Sequence, residues 1–309
     1  MKDQVIFIVG PTASGKSEIA VAFAERVNGE IISCDSMQVY RGMDIGTAKP
    51  SAEFSERVKH HLIDCIPPSE EYSAARFARE ATVLIGQLHA SQKVPVVVGG
   101  SGLYMKALLD GIFPDKGKDP ELRQRLKSRA HREGVEVLYR ELGEIDAESA
   151  SQIHPNDLRR IIRALELCYV TGTRPSALRQ EGEGICHRYR CVLFGIAYER
   201  SELYARIEKR VEQMFDEGFL DEVRRLRYNT AIGQTASQAL GYKESYDYLR
   251  KKIHLNHLKY LVKRNTRRFA KRQLTWFRRD RRIQWINVTS AMDPASVADQ
   301  LIHRLSLQK

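Results

Sequence analysis

Residues 5–17, VIFIVGPTASGKS, join an apolar run to a glycine-rich segment that ends in Lys-Ser. The apolar run Val5–Val9 predicts a buried strand, and a helical pattern begins at Ser17. Between them stands Gly-x₄-Gly-Lys-Ser, whose glycines let the backbone turn so that successive N–H groups point at phosphate oxygens at a helix N-terminus. The stretch therefore predicts a phosphate-binding loop, with Lys16 as a cation and Ser17 as a ligand of Mg²⁺.

Strand and helix patterns alternate over residues 1–115. The predicted strands there are Val5–Val9, Glu30–Cys34 and Val94–Val98, and the predicted helices are Ser17–Val27 and Ala74–Ala90. Strand character returns at Cys191–Ala197 and at Ile283–Val288. Continuous apolar strands that alternate with helices are typical of a parallel sheet with helices on both faces.

The middle of the chain has a different pattern. Residues 120–178 show helical periodicity, charged faces and no convincing strand. Asn156 is expected to cap a helix there. The apolar face of that helix consists of Leu158, Ile161, Ile162 and Leu165. The predicted fold is therefore α/β: a P-loop parallel-sheet core (residues 1–115, completed by residues 186–309 with basic C-terminal helices) and a mostly helical insertion (residues 116–185).

Composition narrows the class of protein. Of 309 residues, 50 are Lys or Arg and 39 are Asp or Glu, which gives a formal net charge of +11. That balance is typical of a solvated basic surface or of a protein with a polyanionic partner. The five cysteines include no CxxC pair, and no apolar run approaches the roughly 18 residues of a membrane span. Because the first strand begins close to Met1, we expect no targeting peptide, no membrane partner and a cytoplasmic location.

One feature of nucleotide hydrolases is missing near the loop. Such an enzyme normally adds an apolar strand that ends in Asp, which holds the metal. The strand Val94–Val98 runs instead into GGSG, residues 99–102, whereas residues 31–34 are followed by Asp35. Asp35 could hold the metal, but it opens DSMQVYRGMDIGTAKP, residues 35–50, which is too unusual for a generic metal clamp. Asp35 is therefore a candidate for a chemical role of its own.

Five segments follow one another along the chain. They are GPTASGKS (10–17), DSMQVYRGMDIGTAKP (35–50), VVGGSGLYMKALLDG (97–111), HPNDLRRIIRALE (154–166) and QALGYKE (238–244). Together they closely resemble the tRNA dimethylallyltransferases, also known as tRNA isopentenyltransferases or IPP transferases. The resemblance runs from Val5 to about Phe277, and it fits a bacterial type because the zinc-finger extension of other members is absent. Members transfer a dimethylallyl group from dimethylallyl diphosphate to N6 of adenosine 37 in the tRNA anticodon loop, and diphosphate leaves.

The resemblance implies that the loop holds this diphosphate. The residues concerned are Gly10, Pro11, Thr12, Ala13, Ser14, Gly15, Lys16 and Ser17. Loop N–H groups, the Lys16 ammonium and Mg²⁺ on Ser17 would stabilise the charge that develops as the bond breaks. Arg210 would also contact the diphosphate, and Arg206 lies one helical turn away and could face the same site. A solvated helix face is the competing interpretation for both arginines.

The resemblance also implies a base for the acceptor. The N6 amine of adenine is a weak nucleophile because its lone pair is delocalised into the ring, so its attack must coincide with loss of a proton. Asp35 would take that proton. A helix cap or a Mg²⁺ ligand is the alternative role for Asp35. Most members have Thr where Ser101 stands, so the hydroxyl is preserved, although Ser101 could instead only shape a glycine-rich turn.

Residues 251–282 point to the polyanionic partner. They carry thirteen Lys or Arg and a single acid, Asp280. On a helix they would form a cationic stripe and an apolar stripe. The cationic stripe consists of Arg264, Arg267, Arg268 and Lys271, and the apolar stripe of Leu258, Val262 and Phe269. This pattern predicts a helix that is packed on one side and faces RNA phosphates on the other.

Further tRNA contacts follow from the resemblance. They are assigned to Asp35, Ser36, Met37, Gln38, Ser101, Arg123, Arg159, Arg160, Ile161, Ile162, Arg163, Gly241, Tyr242 and Lys243. Gln38 offers an amide suited to an adenine edge. Tyr242 could stack on a loop base or be an ordinary core tyrosine. The target base must leave the loop stack to reach Asp35.

Two other functions stay open. A P-loop kinase for a small acceptor predicts ATP turnover without RNA, and a basic RNA-binding ATPase predicts nucleotide-dependent RNA affinity without a covalent product. The missing acid after Val98 and the DSMQVY segment argue against both. The expected partners are the tRNA anticodon stem-loop and dimethylallyl diphosphate, the expected cofactor is Mg²⁺, and a monomer is expected.

Overall fold

The structure is a computed structural model that describes residues 3–112, 118–180 and 184–307. The chain divides into two compact units. The first consists of Met1–Met105 and Arg188–Lys309, and the second of Lys106–His187.

The first unit contains a parallel sheet, which has six strands within the described residues. They are β1 (Gln4–Val9), β2 (Gly29–Ser33), β3 (His60–His61), β4 (Val94–Gly99), β5 (Arg190–Ala197) and β6 (Ile283–Asn287). Their order across the sheet is β3-β2-β4-β1-β5-β6, and every neighbouring pair is parallel. The predicted α/β class with a parallel sheet is confirmed. No sequence pattern predicts β3, which has only two residues.

The helices are numbered along the whole chain. They are α1 (Lys16–Arg26), α2 (Ala52–Arg57), α3 (Ala74–Ala90), α4 (Gly102–Asp110), α5 (Pro120–Glu133), α6 (Val135–Ile145), α7 (Ala147–Ser151), α8 (Leu158–Thr171), α9 (Pro175–Gln180), α10 (Arg200–Asp216), α11 (Phe219–Asn229), α12 (Tyr242–Leu249), α13 (Leu255–Phe277) and α14 (Pro294–Ser306). Short 3₁₀ helices cover Ile185–His187 and Ala236–Gln238. Among the described helices, none combines the length and the apolar character that crossing a bilayer requires.

The register of the sheet brings three strand ends level with one another. Ile8 of β1 lies opposite Val98 of β4, and Ser33 of β2 lies opposite the same Val98. Since the strands are parallel, the segments that leave β1, β4 and β2 emerge side by side at the carboxyl edge of the sheet. Ligands of open parallel sheets bind at this edge.

The strand and the helix on either side of the glycine-rich loop are both buried. All of β1 is buried, and so are the α1 residues from Ile19 to Ala24. Phe23 of α1, Phe194 of β5 and Leu301 of α14 belong to the same apolar cluster, and each is 0% exposed. The loop between β1 and α1 is therefore fixed at both ends, because neither element can move without disrupting the packing of the core.

The second unit has its own core, formed by α5–α8. Its buried residues include Leu126, Leu138, Leu142, Ile161 and Leu165. The predicted insertion spans residues 116–185, but the unit begins at Lys106 because the last turn of α4 packs within it. There a Cβ on Gly184 would lie 2.0 Å from the carbonyl oxygen of Leu109.

The cap of α8 differs from the prediction. Asp157, and not Asn156, is the N-cap residue, and its carboxylate accepts a hydrogen bond of 3.2 Å from the backbone N–H of Arg160. Asp and Asn are both good caps, so the sequence offered two adjacent candidates, and the prediction chose the wrong one.

Candidate active site

A cavity of about 1240 Å³ opens at the carboxyl edge of the sheet in the first unit. Its walls come from loop residues 12–17, from residues 35–38 and 44–51 after β2, from the turn after β4, and from α10 and α13. The cavity therefore gathers segments from three neighbouring strand ends under two long helices. It brings together the predicted diphosphate loop, Asp35, Ser101 and Arg210.

The loop itself has the geometry of an anion cradle. Gly15 adopts a left-handed conformation (φ 71°) as the N-cap of α1, which has no side-chain cap in the described structure. A helix N-terminus without a cap leaves N–H groups for an anion. Ser14 lies on the cavity wall, and its buried hydroxyl has no hydrogen-bond partner within the described residues. A buried polar atom without a partner indicates a ligand that supplies one.

Two arginines of α10 hold this loop from outside. The Arg210 guanidinium donates a hydrogen bond of 3.0 Å to the hydroxyl of Thr12, and the Arg206 guanidinium donates one of 2.9 Å to the carbonyl of Ala13. Arg206 also stacks 4.7 Å above the ring of Tyr198. The sequence left open which arginine faces the site, and in the structure both reach the loop.

Lys16 is the cation inside the loop. The pKa of its ammonium is lowered from 10.5 to about 8, mainly by burial; Asp35 acts in the opposite direction, and Arg210 contributes to the lowering. Burial also lowers the pKa of Arg210. Both shifts arise because burial disfavours the charged form of each cation more than the nearby carboxylates favour it. A bound diphosphate would add negative charge beside them.

Asp35 and Ser101 lie next to each other because strand pairing continues past the ends of β2 and β4. The N–H of Cys34 donates to the carbonyl of Val98 at 2.7 Å, and the N–H of Ser101 donates to the carbonyl of Cys34 at 3.3 Å. A Cβ on Gly99 would lie 2.0 Å from that Cys34 oxygen, so only glycine permits the approach.

The two side chains are also oriented by the backbone after β2. The hydroxyl of Ser101 accepts a hydrogen bond of 3.0 Å from the N–H of Ser36. One carboxylate oxygen of Asp35 accepts a hydrogen bond of 2.9 Å from the N–H of Met37. Asp35 is only half-buried and lines the cavity, so its carboxylate can meet a second substrate.

The segment after Asp35 is held by a residue that the sequence analysis missed. The buried carboxylate of Glu222 accepts hydrogen bonds from the N–H groups of Asp44, Ile45 and Gly46, at 2.8–3.1 Å. It also accepts one of 2.6 Å from the hydroxyl of Tyr242. Glu222 lies on α11, whose sequence looks like that of an ordinary amphipathic helix, and no local signal marks it.

Tyr242 is a core residue. It is 1% exposed, its ring packs edge-on against Phe219, and burial together with Glu222 raises the pKa of its hydroxyl. Of the two interpretations of Tyr242, the structure supports the core tyrosine and rules out a side chain that stacks on a base. Its neighbour Gly241 is also buried, and only Lys243 of this triplet is exposed.

Gln38 has most of its amide engaged within the protein. Its oxygen accepts from the hydroxyl of Ser33 at 2.9 Å, and its nitrogen donates to the carbonyls of Thr47 (3.3 Å) and Ala48 (2.9 Å). Both N–H bonds are used, so Gln38 can offer an adenine edge only the second lone pair of its oxygen. The amide mainly ties residues 47–48 to β2.

The two stripes predicted for the basic helix α13 are present in part: Leu258 and Val262 are buried, and Arg268 and Lys271 are exposed. Its buried face consists of Leu258, Val262, Thr266, Ala270, Gln273 and Phe277. Phe269, predicted to be packed, is 37% exposed and lines the cavity together with Arg268 and Arg272. Arg267, predicted to face RNA, forms an ion pair of 2.5 Å with Glu208 of α10.

Within the second unit, two of the predicted tRNA-contact residues have buried side chains. Ile161 and Ile162 are buried in its core, so their side chains cannot meet RNA. Arg123 and Arg163 form ion pairs of 2.7 and 2.6 Å with Glu166, which is 0% exposed. Arg159 and Arg160 are exposed, as RNA-binding residues must be.

Oxygen atoms suited to a metal lie beside the loop. The hydroxyl of Ser17 and the carboxylate of Asp35 both line the cavity. The described residues contain no group of three or more His, Cys, Asp or Glu side chains that could hold a metal ion by themselves. Mg²⁺ usually takes one or two protein oxygens together with substrate phosphates. This donor set therefore fits Mg²⁺ that arrives with a diphosphate.

Known proteins resemble this chain over most of its length. A model of the IPP transferase family matches residues 38–280. The chain is 46% identical over 296 residues to the tRNA dimethylallyltransferase of Geobacter sulfurreducens, and the aligned region covers 96% of this chain and 95% of that protein. It is 48% identical over 288 residues to the tRNA dimethylallyltransferase of Carboxydothermus hydrogenoformans, and this aligned region covers 93% of each protein.

Two solved structures also resemble this chain over nearly all of its length. The full-length tRNA isopentenylpyrophosphate transferase from Bacillus halodurans matches with a TM-score of 0.71 and 42% identity, over 99% of this chain and 97% of that one. A eukaryotic dimethylallyltransferase, crystallised acting on tRNA, matches with a TM-score of 0.81 and 29% identity, over 97% of this chain and 77% of that one.

The depressed pKa of Lys16 predicts that diphosphate affinity falls as the pH rises through about 8. Lys16 attracts the anion only while it is protonated, and the lowered pKa moves the loss of charge to a lower pH than for an exposed lysine. Calorimetric titration with inorganic diphosphate, without divalent metal, measures this between about pH 7 and about pH 9.

Lys16→Arg is the matched control, because arginine stays protonated over this range while the titration of the ligand is unchanged. The variant should show a weaker pH dependence than the wild type. Identical pH profiles for the two proteins would mean that Lys16 is not the titrating cation.

Proposed function

This chain belongs to the IPP transferase family, and we propose that it transfers a dimethylallyl group from dimethylallyl diphosphate to N6 of adenosine 37 in the tRNA anticodon loop, releasing diphosphate. One observation carries the proposal. The anion cradle and the Asp35–Ser101 pair face one cavity, so a leaving diphosphate and a proton acceptor can act on the same reaction.

The turn after β4 argues against a kinase or an ATPase. An acid there would hold the metal of a nucleotide, but the turn is packed too closely for a side chain. At Gly99 a Cβ would lie 2.0 Å from the backbone oxygen of Cys34, so no acid can stand there.

On the acceptor side, the reaction needs a base. As N6 attacks the allylic carbon, the bond from nitrogen to carbon forms and the N6 proton passes to the carboxylate of Asp35. The hydrogen bond from Met37 keeps one oxygen of Asp35 in place, and the hydroxyl of Ser101 lies beside it. General-base catalysis of this kind contributes about 10²–10⁴-fold in rate.

On the other side of the carbon, the bond to the diphosphate oxygen breaks and negative charge accumulates. The Lys16 ammonium, the Arg210 guanidinium and the uncapped N-terminus of α1 are positioned to stabilise that charge. Mg²⁺, held by Ser17 and the diphosphate oxygens, would neutralise part of it. A donor of this kind is typically worth about 10²–10³-fold in rate.

The basic groups support RNA as the acceptor. Arg268 and Arg272 line the cavity with the exposed ring of Phe269 between them on α13. Cations that alternate with an aromatic ring are typical of surfaces that bind single-stranded nucleic acid. All groups that the reaction needs come from one chain, which supports a monomer as the working form.

Asp35→Asn tests the assignment of the base. The amide fits beside N6 but cannot take its proton, so both substrates should bind while transfer falls by about 10²–10⁴-fold. The assay combines dimethylallyl diphosphate, Mg²⁺ and unmodified tRNA, and mass spectrometry detects the prenyl group on adenosine 37. ATP in place of the prenyl donor should give no phosphorylated product.

Asp216→Asn is the control, because it makes the same exchange at an exposed position of α10 outside the cavity. It should transfer at the wild-type rate. If a high concentration of Mg²⁺ restores the Asp35→Asn variant, Asp35 holds the metal and the base lies elsewhere.

The exposed arginines of α8 predict a change in the salt dependence of tRNA binding. Replacing both Arg159 and Arg160 by Ala should weaken binding and lower the slope of log K against log salt by about one unit for each lost phosphate contact. Filter binding over a range of salt concentrations measures the slope. Arg140→Ala removes an exposed arginine of α6 in the same unit and should leave it unchanged. Equal slopes for all variants would assign Arg159 and Arg160 to a solvated face.

A further inference from the structure

We propose that Gln273 is a positioning residue that fixes the phosphate loop against the turn after β4. This inference rests on the proposed function, because it explains how the diphosphate is held at a set distance from the acceptor base. No substrate needs to touch Gln273, which acts through the two loops that it joins.

The amide of Gln273 bridges the two loops directly. Its oxygen accepts a hydrogen bond of 2.9 Å from the N–H of Thr12, in the phosphate loop. Its nitrogen donates a hydrogen bond of 3.0 Å to the carbonyl of Gly100, one residue before Ser101. Gln273 is 7% exposed, and its bond to Gly100 is shielded from water. A single side chain therefore sets the spacing between the loops that follow β1 and β4.

The close approach at Gly100 confirms that the fit is tight. A Cβ on Gly100 would lie 2.2 Å from the amide nitrogen of Gln273. Glycine is therefore required at this position for the amide to reach the backbone. The contact with Gln273 thus explains why the second residue of the GGSG segment is glycine, which the sequence alone did not reveal.

Thr12 is held from two sides. Its N–H is bound by Gln273 of α13, and its hydroxyl accepts from Arg210 of α10. The two helices are themselves joined by ion pairs, between Arg267 and Glu208 and from Lys259 to Glu212, each 2.5 Å long. The phosphate loop is therefore held by α10 and the basic helix α13, which are also bound to each other.

Gln273 suits this role because it carries an acceptor and a donor at the end of one unbranched chain. An ionised glutamate would keep the acceptor for Thr12 but place a second acceptor against the Gly100 carbonyl. Methionine has a similar length and supplies neither strong bond. The two substitutions therefore separate the two halves of the bridge.

Gln273→Met tests the bridge as a whole. The variant should lower kcat by about 10²-fold, the size of effect that misplacing reacting groups by about 1 Å produces. It should weaken the binding of inorganic diphosphate and speed up hydrogen exchange at the Thr12 amide, while tRNA affinity stays unchanged. Gln273→Glu should keep the Thr12 amide protected and lose kcat as the pH rises, because only the ionised carboxylate loses the bond to Gly100.

Leu258→Val is the matched control. It removes a methylene from the same buried face of α13 at a position that is 0% exposed and outside the cavity. Its thermal midpoint should fall without a loss of kcat. If Leu258→Val and Gln273→Met lose kcat equally at equal stability, the positioning role is wrong.

Two of these measurements do not depend on prenyl transfer. Diphosphate binding and exchange at Thr12 report on the loop even if the enzyme transfers no prenyl group to tRNA. If the wild type proves inactive while Gln273→Met still loosens Thr12, the proposed function fails and the bridge stands. If the wild type is active and Thr12 exchanges alike in both proteins, the bridge fails and the function stands.

Discussion

The site depends on a short extension of strand pairing beyond the ends of β2 and β4. Hydrogen bonds from Cys34 to Val98 and from Ser101 to Cys34 carry the two chains past the sheet. Gly99 makes this possible because a side chain there would collide with the Cys34 carbonyl. Asp35 and Ser101 thus emerge side by side, next to the strand that delivers the phosphate loop. In the proposed reaction, this pairing brings the acceptor base close to the leaving diphosphate.

The other contacts keep the two halves of the site at a fixed distance. Gln273 and Arg210 hold the loop on the leaving-group side. Glu222 holds the segment after Asp35 on the acceptor side, through three backbone N–H groups. These residues come from α10, α11 and α13, far along the chain from the loops that they hold. The C-terminal helices therefore complete a site whose reactive groups lie near the N-terminus.

The sequence predicted the elements whose signal is local. Val5–Val9, the glycine-rich loop and the helix Ala74–Ala90 all carry their own pattern, and the structure contains each of them. Glu222 and Gln273 could not be found, because their roles depend on backbone groups more than 170 residues away. A match to a family segment also does not show which of its residues contact RNA and which only pack in the core. The resemblance assigned Ile161 and Ile162 to tRNA contact, yet both are core residues here.

In the proposed reaction, N6 attacks one side of the allylic carbon while diphosphate leaves from the other. The stereochemistry at that carbon tests it most directly. Dimethylallyl diphosphate made chiral at C1 with deuterium is transferred to unmodified tRNA, and the configuration of the prenylated adenosine is determined. We predict complete inversion, since attack and departure occur on opposite faces in one step. Retention would indicate a covalent intermediate, and a mixture of configurations would indicate a free cation; either result would contradict the proposed reaction.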